Sequence, residues 1–522
     1  MNNCKPVRSI IIWTIMVIMV LSATAGPVAG DENNAITLVI AHTNDMHGHL
    51  KPHKSKNSPD KLIGGMAYLA GAVRDLREEY PGKVLLLDAG DMAQGTPISN
   101  IFRGIPVIEI MNVMKYDATT VGNHEFDWEI PALMKMIREA DFPFISANIL
   151  RKSNPNLLMA GVKPYVIREV NGVRIGIIGL STPDTPQTTS SKNLGHLIFE
   201  DPETILRRYI PRMKQEGASI IIVLAHLGHD HERKLAERVR GIDVIIGGHS
   251  HTLPDDTGPL EGVIVTQAGA YAQYLGVLKL KLDPVTKSIV SYNRGNTHIP
   301  IGPGLTEPHR DVQRIIEKYD GQIHAKMSQV ITRADEDITR KTTGDSLDNP
   351  LGNIITDSMR KKTGSQIAFL NSTGIRSDFY QGDITLEHIY QVVPFENHLV
   401  TMDIKGSALK KVLEHALTVN GCQVSGITME GDYSRPEGDR FTTITIGNKP
   451  LNPDATYRLT TVDFLFDGGD GYVFQEAQNL KYDVVIRDAL REYLNRKESI
   501  TPGRTGRIRL INNPRASTRG EY

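Results

Sequence analysis

Five apolar runs in the first half of the chain each end in residues able to hold a cation. ITLVI runs into AHTNDMHGH (41–49), and KVLLLD opens LLLDAGDMAQG (85–95). TTVGNHEFD (119–127) gathers an amide, an imidazole and two carboxylates around one glycine. SIIIVLAH leads into LAHLGHDH (224–231), and IDVIIGG into GGHSH (247–251). Leucine and β-branched runs of this length, broken by Gly or Asp and followed by helical patterns, are the buried strands of an α/β sheet. Such sheets bind ligands at the carboxyl ends of their strands. Oxygen and imidazole donors at five strand ends predict a metal site there.

Asp45 and His47 stand two apart just after a strand, so an extended backbone would point both the same way. Asp91 lies beyond Gly90, where the backbone can turn inward, and is expected to bridge two ions. Asp88, at the strand end, is expected to support the site from behind. Asn123 adds a neutral amide oxygen suited to a hard cation. His226 and His249 follow long apolar strands, and His251 repeats the two-residue spacing. The expected sets are Asp45, His47, Asp91 and His251 for one divalent ion, and Asp91, Asn123, His226 and His249 for the other. Zinc or manganese suits these donors. His42, His49, His53, His229 and His231 are read as supporting or surface residues.

At 522 residues the chain exceeds one ordinary core, so two domains or more are expected. Its formal charge of -1 gives no electrostatic case for nucleic acid or an anionic membrane as partner. Lys5 and Arg8 precede IIIWTIMVIMVLSATA (10–25), which ends in Ala23-Thr24-Ala25. This is the layout of a cleaved signal peptide over 1–25, and predicts an exported protein with no membrane attachment after cleavage; the competing reading is a retained membrane anchor, since the apolar run is near the lower length limit for a spanning helix. Cys4 leaves with that segment and Cys422 then lacks a partner, so no internal disulfide is expected. The sequence has no phosphate-loop motif, dinucleotide fingerprint or Gly-x-Ser-x-Gly elbow.

Strand and helix patterns alternate over 36–305. PHRDVQRIIEKYDGQIHAKM (308–327) reads as an interdomain helix within a linker over 306–329, and 330–512 forms a second mixed unit. The polar tail over 513–522 is expected to be disordered. VNGVRIGIIGLST (170–182) reads as two half-strands about an Asn-Gly turn.

The order Asp-x-His, Gly-Asp, Gly-Asn-His-Glu, His and Gly-His-x-His over 41–127 and 224–251 resembles the calcineurin-like metallophosphoesterases. NSTGIR (371–376) and DFLFDGGDG (463–471) resemble the C-terminal domain of the 5′-nucleotidases. Together the likeness covers about 36 to 512. It implies a four-layer α/β sandwich carrying two metals, then a smaller mixed α/β domain that holds the nucleotide, with closure by rotation of one domain about 308–327. It also implies removal of the 5′-phosphate of nucleoside monophosphates. His124 would stabilise charge or protonate the leaving oxygen, and Asp127 would fix its tautomer. Asn371, Arg376, Phe464 and Asp470 would contact the substrate.

Two positions depart from the family pattern. VNGCQVSG (419–426) puts Gly421 or Cys422 where the first aromatic of the base clamp is expected, leaving Tyr390, Phe395 and Tyr433 as alternatives. No arginine precedes Leu-Gly-Asn in SLDNPLGN (346–353). Rival activities are a 2′,3′-cyclic-nucleotide 2′-phosphodiesterase/3′-nucleotidase and a nucleotide-sugar pyrophosphatase. A catalytically inactive nucleotide-binding protein is the rival of another class, and the presence of every ligand position with His124 and Asp127 counts against it.

Overall fold

The computed structural model of the protein describes residues 34–513, apart from 56, 57, 256, 296, 343 and 420. The segment read as a signal peptide, 1–25, and all but the first residue of the segment read as a tail lie outside the described residues. Among the described residues no helix is long and apolar enough to cross a membrane.

The apolar runs become strands, and their period of two decides what each side chain meets. One sheet runs, in spatial order, Ile289–Tyr292, Tyr274–Leu282, Ile36–Thr43, Val84–Asp88, Ala118–Thr120 and Phe144–Ile145, with His298–Pro300 also paired to Tyr274–Leu282. A second runs Ile264–Thr266, Val244–Gly247, Ile220–His226, Val173–Ser181 and Tyr165–Val170. Leu38, Ile40, Leu85 and Leu87 share one core with Ile175, Ile177, Ile220, Ile222 and Leu224 of the other sheet. Val39, Ala41 and Leu86 point the opposite way, onto the helices Met66–Glu79 and Ile105–Met114. Ile221, Val223 and Ile245 likewise turn out onto Pro202–Gln215 and His229–Arg238. Four layers result: helix, sheet, sheet, helix.

The strands Ile36–Thr43, Val84–Asp88 and Ala118–Thr120 are parallel neighbours, and so are Ile220–His226 and Val244–Gly247. The five donor-bearing ends therefore divide three to two between facing sheets, rather than lining the edge of one. Tyr165–Val170 and Val173–Ser181 form the expected hairpin, with Asn171 (φ 50) and Gly172 (φ 73) both in the left-handed region its tight turn requires.

Beyond residue 330 a five-stranded sheet runs Cys422–Ser425, Ile367–Asn371, Thr456–Val462, His398–Lys405 and Gln478–Val485. The helices Pro350–Thr363 and Ile486–Leu494 bury Ile355, Met359, Leu490 and Leu494 into the core that Ile367 and Leu459 also enter. Among the described residues every strand pairing stays on one side of the helix Arg310–Met327. That helix buries Val312, Ile316, Tyr319, Ile323 and Met327, a single stripe at steps of three and four. Tyr319 lies edge-on to Phe102 at 4.7 Å, which fixes the helix to the outer layer of the first half. The chain entering it crosses Gly71 so closely that a Cβ there would lie 2.0 Å from the carbonyl oxygen of Glu307.

The facing-sheet core should dominate stability. Ile222→Ala is expected to destabilise by about 2–5 kcal/mol in urea unfolding, because Ile222 is fully buried between two sheets. Val285→Ala, at a side chain 85% exposed, should stay within about 0.5 kcal/mol of the parent.

Candidate metal centre

Most donors leave their strands through unusual backbone. Asp45 (φ 49), His47 (φ 46), Asp91 (φ 52), His249 (φ 78) and His251 (φ 55) are all left-handed. Such a conformation costs a non-glycine residue about 1–3 kcal/mol. The extended backbone expected for Asp45 and His47 is thus replaced: the strand stops at Thr43, and left-handed residues aim both side chains inward.

All seven expected ligands converge. Asp45 Oδ2 accepts from Asn44 Nδ2 at 2.7 Å and from the His249 N–H at 2.9 Å. Oδ1, which the same N–H reaches at 3.1 Å, faces His251 Nε2 at 3.5 Å and His47 Nε2 at 3.9 Å. The two Nε2 atoms are 3.1 Å apart. Asp91 Oδ1 accepts the His124 N–H at 2.9 Å, while Oδ2 lies 3.1 Å from His226 Nε2 and 4.0 Å from His47 Nε2. Asn123 Oδ1 sits 2.9 Å from His249 Nδ1 and 3.2 Å from His226 Nε2. Donors sharing an ion at about 2.1 Å stand about 3.0–3.4 Å apart, and these separations cluster around that range. Asp45, His47 and His251 make one group, Asp91, His226 and His249 another, with Asp91 Oδ2 between them.

The electrostatics fit a pair of cations. Burial opposes charge on His226, yet Asp91 and Asp45 hold its pKa up at about 10. Positive charge is favoured at that point, and a divalent ion would supply it in place of the proton. Burial and neighbouring His251 hold His47 well below the usual imidazole range, so its ring is neutral and ready to ligate. The Nδ1 atoms of His47 and His226 each face a backbone carbonyl, Gln94 O and Ala89 O, at 2.8 Å. Such partners set the tautomer that leaves Nε2 free.

Buried acids brace the turns. Asp88, as expected, supports rather than ligates: it accepts from Thr43 and Thr119 at 2.8 Å each and from the Gly90 N–H at 3.0 Å. Glu125 and Glu232 were given no role by the sequence. Glu125 accepts the backbone N–H groups of Gly122, Asp91 and Met92 at 2.7, 2.9 and 3.0 Å. Glu232 accepts from Gln267 Nε2 at 2.8 Å and the Gly248 N–H at 3.2 Å. The only available signal was an acid adjoining His124, and three backbone partners become visible only in the folded chain. Gly122 lets this turn close, since a Cβ there would lie 2.2 Å from Asp91 Oδ1.

His124 Nδ1 meets Asp127 Oδ2 at 2.7 Å, and Asp127 Oδ1 takes the Thr189 hydroxyl at 2.8 Å. Asp127 follows a 3-10 turn, His124–Phe126, instead of opening a helix, which begins at Glu129. Burial would lower the His124 pKa, but Asp127 and Asp91 outweigh it and raise it. The other histidines stay outside the ligand sets: His49 and His53 pack on Tyr271, and His229 and His231 contact their own turn. His42 is fully buried, and burial pushes its pKa down to about 3.

The second half adds two groups. Phe395 stacks on His124, with centroids 5.6 Å apart at 25°, and Arg376 Cζ lies 5.9 Å from the Phe395 centroid. The Arg376 charge reaches both His47 and His124. Asn371 Nδ2 donates to Asp470 Oδ2 at 2.7 Å, and Phe464 covers Gly469 so closely that no Cβ would fit there. The segment Gly469–Gly471 packs against Thr185–Thr188 of the first half, and Lys192 pairs with Asp467 at 2.5 Å beside it.

Of the positions considered for the first aromatic, only one lies at the site. Cys422 is buried within a strand, its thiol pushed up by burial. Tyr433 lies under Arg440 and Tyr390 under Arg487. Of the three alternatives, Phe395 is the one against His124. Arg340 donates to Ile375 O at 3.2 Å and to Asp378 Oδ1 at 3.2 Å, placing a second guanidinium beside the Gly-Ile-Arg turn.

Two facing sheets with these donors at their joined ends define a metallophosphoesterase. The calcineurin-like phosphoesterase family matches residues 38–253, and the 5′-nucleotidase C-terminal domain matches 328–476. Human 5′-nucleotidase is 31% identical, over 94% of this chain and 93% of its own. The trifunctional nucleotide phosphoesterase YfkN of Bacillus subtilis is 30% identical, over 93% of this chain and 36% of its own. The crystal structure of a 5′-nucleotidase precursor from Thermus thermophilus superposes with a TM-score of 0.84 at 32% identity, covering 92% of this chain and all of that one. The chain belongs to the 5′-nucleotidase family, and so to the phosphoesterase hydrolases.

Removing divalent ions with a chelator should lower the thermal midpoint, because the donor carboxylates and strained residues lose the charge that holds them together. Gly122→Ala should abolish metal uptake at the group containing Asp91, measured by metal analysis of the purified protein. His124→Ala should retain both ions and lose about 10²–10⁴-fold in turnover.

Proposed function

We propose that the protein is an exported phosphohydrolase that removes the 5′-phosphate of nucleoside monophosphates. One observation carries this reading: the second half seats an aromatic ring, Phe395, against the histidine beside the metal donors, with the guanidinium of Arg376 over that ring. A phosphate at the metal centre would thus have a stacking surface and a cation within the span of one nucleotide. The relatives named 5′-nucleotidase support the same substrate class, and the layout of residues 1–25 supports export.

Asp45, His47, Asp91 and His251 would hold one ion, and Asp91, Asn123, His226 and His249 the other, zinc or manganese by donor type. When bound, such a pair supplies Lewis acidity and an activated water for in-line attack on phosphorus. His124, held by Asp127 and with its pKa raised by the acids near it, stabilises developing charge and gives its Nε2 proton to the leaving oxygen. Arg376 fixes the substrate by its guanidinium fork. Phe395 and Phe464 flank the base, while Asn371 and Asp470 hydrogen-bond the nucleoside. The helix Arg310–Met327 separates a metal-holding domain over 36–305 from a substrate-holding domain over 330–512, and serves as the hinge between them.

A substrate panel with both candidate metals tests the reading. AMP should be hydrolysed at least about tenfold faster than UDP-glucose or 2′,3′-cyclic AMP; faster turnover of either rival would reject it. Phe395→Ala should raise KM for AMP about tenfold, the worth of one stacking contact. Asp127→Asn should move the alkaline limb of kcat to lower pH. The lost carboxylate lowers the His124 pKa, so the proton is given up earlier as pH rises.

A further inference from the structure

The loop 392–397 that carries Phe395 is gripped by one buried side chain. Arg487, in the helix Ile486–Leu494, is 8% exposed and directs Nη1 at three successive carbonyl oxygens: Val393 at 3.3 Å, Pro394 at 2.9 Å and Phe395 at 2.7 Å. Its Cζ lies 4.4 Å from the centroid of Tyr390, so the guanidinium is stacked as well as bonded. The nearest carboxylate, Glu396, is 3.9 Å away. A buried cation balanced mainly by peptide dipoles is a poor way to gain stability, for which apolar residues serve as well or better. Its geometry does something else. Three carbonyls turned to one nitrogen fix the backbone on both sides of Phe395, and with it the direction in which the ring leaves the chain.

The same loop is tied to the rest of the site. The Arg376 N–H donates to Val392 O at 2.9 Å, and the Ile486 N–H to Asn397 O at 2.9 Å. From the first half, Asn100 Nδ2 reaches Pro394 O at 3.0 Å and Arg103 pairs with Glu396 at 3.1 Å. Pro394 O is thus shared by a side chain from each half. We propose that Arg487 is a positioning residue for base recognition: it presets the Phe395 ring so that the ring meets its partner surface when Asn100 and Arg103 engage the loop. The assignment rests on Phe395 being a base-stacking residue.

Arg487→Lys keeps the charge and loses the planar fork and the stack on Tyr390. It is expected to raise KM for AMP about tenfold with kcat within about twofold, while kcat/KM for ribose 5-phosphate, which has no base, stays within about twofold. Added to Phe395→Ala, it should leave KM for AMP where Phe395→Ala alone puts it. A merely structural role would lower both substrates together and add to Phe395→Ala; either result overturns the proposal. Should Arg487→Lys fail to fold, Tyr390→Leu replaces it in the same comparison with the same expectations. Phe395→Ala without effect on AMP would defeat the stacking assignment and this proposal together. An effect of Phe395→Ala with none from Arg487→Lys would defeat this proposal alone.

Discussion

The carboxylate of Asp91 is the contact on which the rest of the site depends. One oxygen fixes the backbone of His124, and the other stands between the two donor groups. Its own N–H is held by Glu125, and its left-handed backbone follows a glycine. A residue so placed does three things at once: it sets the spacing of the donor groups, orients His124 and supplies charge that raises the His124 pKa. Any shift in the turn after Val84–Asp88 would therefore disturb all three.

Around this point the fold arranges opposing demands. Buried carboxylates and left-handed residues are unfavourable alone, and here they stand at the ends of two apolar sheets buried against each other. The strain gathers at the joined strand ends, where donors must face inward. Glu125, Asp88 and Glu232 collect backbone and side-chain donors around those turns. The second half meets this region through polar contacts, Asn100 with Pro394, Arg103 with Glu396, Lys51 with Glu387 and Lys192 with Asp467, and through the ring of Phe395 on His124.

Much of this was legible in the chain. Runs such as SIIIVLAH could only be buried strands, and donors at their ends named the seven side chains that do converge. The Asn171-Gly172 turn was equally plain, since few residues accept its backbone. The misses share a cause. Asp45 and His47 were expected on extended backbone because periodicity carries no record of left-handed residues. Counting from a motif put Gly421 or Cys422 where an aromatic was expected and left Tyr390, Phe395 and Tyr433 open; only the folded chain shows that Phe395 is the one against His124. Glu125, Glu232 and Arg487 act through backbone groups distant in sequence, and no local pattern marks such partners.

The sequence by itself determined the alternation of layers, the donor types and their order, since these follow from hydrophobic period and side-chain chemistry. Only the tertiary structure decided how five strand ends divide between two sheets and which aromatic ring lies on His124. It also decided which acids brace the turns. Those choices depend on how sheets face and how two halves meet, and such contacts form between segments tens to hundreds of residues apart.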